Sequence, residues 1–351
     1  MELPLRAVRA IFSDIDGTLV HYAHVLERSG YCLNGADADK DGGLTEFVHR
    51  PTGTKIPVLK VPSTTLSGGY VSKKTMDLVA DLRARGVIFC LLTGARTRTF
   101  MKRHETRTIP LPDFGVCEGG GKIFTFNEPT GAAELDEEWI KQFAVIAGDW
   151  RQLDSDPLER RGLLWDCFRE MHKAGYHLDA VSLSTGFYVD VRKGRKQKCE
   201  EDGQQAAKST EEDSSDMFAS LEAEEEAARG LFCGSESNFS DRFGVGFVMN
   251  LGKGHVAPIG CNKRKAVEYI MQKTGVVASE SVALFDDEND LEFAELCAGG
   301  VVPSIAHSSI REALRTRLDP ESFLQPAVGG FLAIESGLEA ILAIVKRQQQ
   351  K

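Results

Sequence analysis

The sequence predicts an α/β protein: a doubly wound parallel sheet with a second α/β unit inserted into it. Three observations predict this. Three short apolar runs end alike, with Ala7 to Phe12 leading into Ser13 and Asp14, Gly86 to Leu92 into Thr93, and Ser281 to Phe285 into Asp286. A helical pattern separates the first two runs. Two further segments, 20–67 and 129–251, are far longer than ordinary strand–helix connections of about 2–6 residues.

Each element has a local reason. Runs that are apolar on consecutive residues suit strands covered on both faces, the habit of parallel sheets. In the helix between the first two runs, Ser72 can cap the N-terminus, Met76, Val79 and Leu82 form the apolar stripe, and Gly86 ends it. Strand–helix alternation gives a doubly wound core, whose ligands bind at the carboxyl ends of the strands. Asp14, Thr93 and Asp286 are therefore expected to gather despite their separation in sequence. The core is expected over 1–128 and 252–351. Segment 21–67 is an extended insertion on the core. Segment 129–251 forms the inserted unit, with its own helix (Gly162 to Ala174) and strands (Ser182 to Val191, Gly244 to Asn250). Phe331 to Val345 reads as an amphipathic helix because Glu335 and Glu339 interrupt its apolar residues.

Charge and cysteine usage narrow the function. The 351 residues carry a net charge of −10, which argues against phosphate-backbone binding as the main task and leaves nucleic acid out as a partner. More than half of that excess lies in 194–230, which holds five Lys/Arg against eleven Asp/Glu and almost no large apolar residue. This stretch is expected to be a disordered acidic loop, its second half alternatively an exposed helix, with its protein partner unknown. No uncharged apolar segment is long enough to span a membrane, and Met1 to Arg9 lacks a signal-peptide core. None of the eight cysteines sits in a Cys-x-x-Cys pair, which suits free thiols and a cytoplasmic location. The stretch Asp37 to Gly42 copies half of an EF-hand loop. Val48 replaces the bidentate Glu, and Pro51-Thr52-Gly53 blocks the following helix, so a solvated acidic loop is expected rather than a calcium site.

Four motifs carry the chemistry. Asp14-Ile15-Asp16-Gly17-Thr18-Leu19-Val20 follows the first strand, and Cys90-Leu91-Leu92-Thr93-Gly94-Ala95-Arg96 ends the second. Pro258-Ile259-Gly260-Cys261-Asn262-Lys263-Arg264-Lys265-Ala266 places a lysine at a helix start. Phe285-Asp286-Asp287-Glu288-Asn289-Asp290 follows the third strand. In this order they resemble the four motifs of the haloacid dehalogenase-like (HAD) superfamily, with Arg264 and Phe285 where glycine is usual. The cap placement between the second and third motifs is similar to that of the Cof-type and sucrose-phosphatase-like branch. Val116-Cys117-Glu118-Gly119-Gly120-Gly121-Lys122-Ile123-Phe124 also looks like a segment of that branch, with Gly119 in place of Asn.

The resemblance implies a HAD-like (Rossmannoid) core with a specificity-determining α/β cap, and a phosphatase for a small phosphorylated metabolite, sugar phosphates favoured. Hydrolysis of a phosphate monoester needs a nucleophile, a proton donor and neutralisation of phosphoryl charge. Asp14 is the expected nucleophile, forming an aspartyl-phosphate, and Asp16 the acid and base. Paired carboxylates facing a phosphate dianion need a hard cation, most plausibly Mg²⁺. Asp14, the Asp16 main-chain carbonyl and Asp286 would hold it, with Asp290 as ligand or support. Lys263 and the Thr93 hydroxyl would contact phosphoryl oxygens, and backbone N–H groups near Gly17 and Gly94 could approach closely. Gly94, Arg96 and Asn289 are further substrate-binding candidates, Arg96 equally a helix-surface residue. Two alternatives stay open: a phosphomannomutase-like phosphotransferase, and a catalytically silent interaction protein on the same fold.

Overall fold

A computed structural model describes residues 3–35, 42–63, 68–127, 130–193, 228–232, 238–250, 253–305 and 308–350. The stretch Asp37 to Asp41 and residues 194–227 of the acidic segment lie outside the described residues. Residues 228–230 at the end of the acidic segment are helical, which agrees with the alternative of a helix in its second half, although position 228 is buried and not exposed. Ala228 and Phe232 stand one helical turn apart and are both buried, and Phe232 stacks on Phe247 at 4.6 Å. The chain divides into two compact units, Met1–Asp136 with Lys263–Lys351, and Glu137–Asn262.

The first unit holds an eight-stranded sheet. Its strands are β1 (Ala10–Asp14), β7 (Ile88–Leu92), β8 (Phe114–Cys117), β9 (Lys122–Phe126), β10 (Ala133–Leu135), β15 (Ser281–Leu284), β16 (Gly299–Val301) and β17 (Phe323–Leu324), in the order β10-β9-β8-β7-β1-β15-β16-β17. The six strands from β8 to β17 run parallel, while β9 and β10 fold back antiparallel. All five residues of β1 and all four of β15 are buried, as continuous apolar runs in a parallel sheet require. The helix Lys73–Ala84 starts where expected: the Ser72 hydroxyl oxygen accepts from the Thr75 N–H at 2.9 Å. Val79 and Leu82 are buried on its inner face, and it packs on the C-terminal helix Phe331–Gln349.

The described residues of segment 21–67 contribute strands to a second, antiparallel sheet. They supply β2 (His21–Tyr22), β3 (Tyr31–Leu33), β4 (Leu44–His49) and β5 (Thr54–Val61). With β6 (Gly69–Ser72) these form that sheet in the order β2-β6-β5-β4-β3. Pro51-Thr52-Gly53 makes the β4–β5 turn, with Gly53 at φ +68° and both Thr52 and Gly53 N–H donating to the His49 carbonyl. Tyr31, Phe47, Ile56, Val58 and Tyr70 form the buried face of this sheet, closed by Phe331 of the C-terminal helix.

The second unit carries the helix Leu163–Lys173 and the antiparallel strands β11 (Leu178–Asp179), β12 (Phe187–Asp190), β13 (Val245–Asn250) and β14 (Lys253–Pro258), in the order β11-β12-β14-β13. Its limits fall later than the expected 129 and 251. Ala133–Leu135 belongs to the large sheet, with Leu135 opposite Phe124, and Lys253–Pro258 lies between β12 and β13. The described cysteines, Cys32, Cys90, Cys117, Cys167, Cys261 and Cys297, are free thiols. Among the described residues, no helix is long and apolar enough to cross a membrane.

Candidate active site

The order of the large sheet creates the site. From β1 the chain moves outward to β7 and β8, then returns on the other side to β15, so the strand order reverses between β1 and β15. Ligands in doubly wound sheets bind at that reversal, beyond the carboxyl ends of the strands. Ser13 pairs in register with Leu284, so Asp14 and Asp286 leave the sheet beside each other.

Four of the expected residues converge there. Lys263 opens the helix Lys263–Thr274, and its Nζ donates to Asp14 Oδ1 at 2.6 Å and to Asp290 Oδ1 at 2.5 Å. Carboxylate oxygens of Asp14, Asp286 and Asp290 lie within 4.8 Å of one another. All four residues are buried. The Thr18 hydroxyl donates to Asp286 Oδ1 at 2.7 Å.

Burial, reinforced by repulsion from Asp290 and Asp286, holds the Asp14 carboxyl well above the usual carboxylate range, against the pull of Lys263. Burial and Asp290 do the same to Asp286, and burial raises Asp290. Burial works against the Lys263 ammonium, yet Asp14 and Asp290 together carry its pKa above the ordinary lysine value. Three ionised carboxylates facing one ammonium leave excess negative charge in a buried place. In addition, Asp290 Oδ2 is buried with no hydrogen-bond partner. This donor set, all hard oxygen with an orphaned acceptor, fits a divalent cation such as Mg²⁺.

The loop after β1 is shaped for this cluster. Gly17 has φ +97°, and a Cβ there would lie 2.0 Å from Asp286 Oδ2. The Gly17 N–H donates to the Val20 carbonyl at 2.7 Å, so this amide is already engaged and other loop amides must serve any anion. Gly17→Ala is expected to cost roughly 1–2 kcal/mol from the left-handed backbone alone, and more from the clash with Asp286. Urea unfolding checks this; an unchanged midpoint would show that the loop relaxes freely.

Asp16 faces elsewhere. Its carboxylate stands outside the cluster and accepts from the Tyr22 hydroxyl at 2.6 Å (Oδ1) and from Arg103 Nη1 at 3.0 Å (Oδ2), with Arg103 Nη2 2.9 Å from Oδ1.

Thr93 is buried at the end of β7, and its Oγ1 accepts from the Ala95 N–H at 2.9 Å, which leaves its own O–H to donate. Behind it, the Glu118 N–H donates to the Ala95 carbonyl and the Gly119 N–H to the Thr93 carbonyl. Glu118 is buried at φ +54°, where it accepts from the Thr97 hydroxyl at 2.7 Å and pairs with Lys122 at 3.1 Å. Gly94 is exposed and Arg96 half-buried, as the N-cap residue of the helix Thr97–Glu105. Asn289 is exposed and its amide donates to Asp287 at 3.5 Å, so the structure does not bring it to the cluster.

The two residues that depart from the motif pattern have partners of their own. Phe285 is buried edge-on to Phe293 and Phe323 at 6.4 and 6.1 Å. Arg264 reaches over the helix surface to Glu268 and Glu295. Sequence reasoning missed Tyr22, Arg103, the Thr18 contact and the buttress at Glu118. Thr18 lies inside the first motif and was within reach; Arg103 and Tyr22 had no local signal.

No protein-family model matches the chain, and no curated protein does. Solved structures do match. The chain is similar to the sucrose-phosphatase from Synechocystis sp., determined in complex with sucrose and phosphate: 14% identity over 97% of this chain and 98% of that one, TM-score 0.50. It is also similar to a haloacid dehalogenase-like hydrolase protein from Bacillus subtilis, at 13% identity over 97% and 94% of the two chains, TM-score 0.47. At 14% identity the likeness to the sucrose-phosphatase shows the fold alone, an α/β architecture.

Proposed function

We propose that the chain is a Mg²⁺-dependent phosphatase that hydrolyses a small phosphorylated metabolite, a sugar phosphate before others, through an aspartyl-phosphate on Asp14. The observation that carries the reading is the buried meeting of Asp14, Asp286, Asp290 and Lys263 at the strand-order reversal. The sugar-phosphate preference draws support from the fold shared with a sucrose-phosphatase.

Asp14, Asp286 and Asp290, with the main-chain carbonyl of Asp16, would hold the cation. When bound, it neutralises phosphoryl charge that carboxylates alone would repel. In the first step a carboxylate oxygen of Asp14 forms a bond to phosphorus as the ester oxygen leaves, and Asp16 gives that oxygen a proton. In the second, Asp16 takes a proton from water, whose oxygen attacks phosphorus and frees Asp14 and phosphate. Lys263, held between Asp14 and Asp290, keeps the nucleophile oriented and places a positive charge beside the transferring group. The Thr93 O–H donates to a phosphoryl oxygen. Exposed Gly94 and half-buried Arg96, in the loop after Thr93, are the further candidates for contact with the substrate. The free thiols accord with a cytoplasmic setting.

The test is phosphate release from a panel of sugar phosphates with Mg²⁺ and with EDTA. Release from at least one member, abolished by EDTA, is expected. Isomerisation of a hexose phosphate without phosphate release would favour the phosphomannomutase-like alternative, and no turnover of any member the silent one.

A further inference from the structure

We propose that Arg103 is a positioning residue for Asp16: together with Tyr22 it fixes the direction of the carboxylate and leaves Oδ2 as the oxygen that handles the proton. The inference rests on the reading of Asp16 as acid and base.

The contacts are unequal on the two oxygens. Oδ1 receives the Tyr22 hydroxyl at 2.6 Å and lies 2.9 Å from Arg103 Nη2, whereas among the described residues Oδ2 receives Arg103 Nη1 alone, at 3.0 Å. A carboxylate oxygen offers two lone pairs. Both on Oδ1 are taken, and one on Oδ2 is left.

Burial is unequal as well. The Arg103 side chain is 3% exposed and that of Asp16 29%. The guanidinium is sealed inside while the carboxylate meets solvent. A buried cation is a poor device for stability, because apolar side chains of similar volume serve as well or better. Among the described residues, Asp16 is the carboxylate that neutralises it. The planar fork grips both oxygens at once, which lysine cannot do.

The clamp is also braced. Arg103 Nε donates to the Pro62 carbonyl at 2.9 Å, just past β5, and Tyr22 belongs to β2. Arg103 itself sits on the inner face of the helix Thr97–Glu105, one turn after buried Thr99. That helix starts from the Thr93–Arg96 loop. The acid and the phosphate-side loop are thereby referred to one rigid element, and the small antiparallel sheet supplies the second anchor.

The test compares two phosphate esters by kcat/KM, which reports events up to departure of the leaving group. The alkyl ester, a hexose 6-phosphate, needs its leaving oxygen protonated; p-nitrophenyl phosphate does not. Arg103→Met is expected to lower kcat/KM for the alkyl ester roughly 10- to 100-fold and for the aryl ester by less than about threefold. Arg103→Lys and Tyr22→Phe should give smaller losses of the same selectivity, and they carry the test if Arg103→Met does not fold. In an Asp16→Asn background, the Arg103 and Tyr22 changes should add no further alkyl-selective loss. Equal loss on both esters, no loss on either, or full additivity with Asp16→Asn would overturn the proposal and leave Arg103 a structural staple. If Asp16→Asn itself treats the two esters alike, the acid–base reading of Asp16 fails, and the proposal with it.

Discussion

Asp14→Asn is expected to lower phosphate release by at least about 10⁴-fold, the scale on which loss of a catalytic nucleophile is felt, while the fold stays intact. The amide has the shape of the carboxylate but not its nucleophilic oxygen. The fold should tolerate it because burial and two neighbouring carboxylates already hold the Asp14 carboxyl above its usual range, and Lys263 keeps Asp290 as a partner. Removing one negative charge from this cluster relieves repulsion instead of orphaning the lysine. The measurement is phosphate release beside thermal unfolding, with acid-quenched protein assayed for covalently bound phosphate. Parent protein should show an acid-stable, alkali-labile acyl phosphate, and the variant none. A purified variant within about tenfold of parent activity, still carrying bound phosphate, would place the nucleophile elsewhere.

What was legible in the sequence follows the range of the interactions. Asp14, Thr93 and Asp286 end strands whose apolar runs are local signals, and a parallel sheet carries such ends to one edge whatever lies between them. Lys263 opens its helix within a recognisable motif. Ser72 capped the helix it was expected to cap. Arg103 is different. It sits in the charged string Lys102-Arg103-His104, and nothing local separates it from its neighbours; its partner Asp16 is 87 positions away. Glu118 was seen only as part of a resemblance, since its burial and left-handed backbone come from tertiary contacts with the Thr93 loop. The small sheet was read only as an extended insertion, with no strands assigned to it. Its register depends on antiparallel pairing, and its turn residues, Pro51-Thr52-Gly53, were weighed only as a barrier to a helix.

The same cluster should make the protein's stability depend on pH and, under the proposed function, on a divalent cation, in opposite senses. Asp14, Asp286 and Asp290 all have carboxyls raised in the folded state, burial first among the causes. A raised native pKa means that the folded protein binds protons that the unfolded chain has released. Stability of the metal-free protein should therefore fall as pH rises from about 4, the ordinary carboxylate value, through the raised native values. The Lys263 pKa moves upward too, but its loss of charge lies on the alkaline side of that window. Under the proposed function Mg²⁺ would bind the deprotonated cluster, so its affinity should climb over the same interval. A cation at a hundred times its dissociation constant contributes about 2.7 kcal/mol. The Mg²⁺-induced rise in Tm should thus be small near about pH 5 and large near about pH 8. Asp286→Asn separates the two effects. Without metal it should raise Tm at neutral pH, by roughly 2–4 °C for each kcal/mol of repulsion relieved, because the Thr18 hydroxyl can still donate to the amide oxygen. With Mg²⁺ it should gain little further, since one of the three converging carboxylates is gone. Scanning calorimetry of parent and variant, with and without Mg²⁺ at both pH values, decides the matter. A variant that is less stable without metal, or that keeps the full Mg²⁺ response, would show that Asp286 is neither strained by its neighbours nor a ligand.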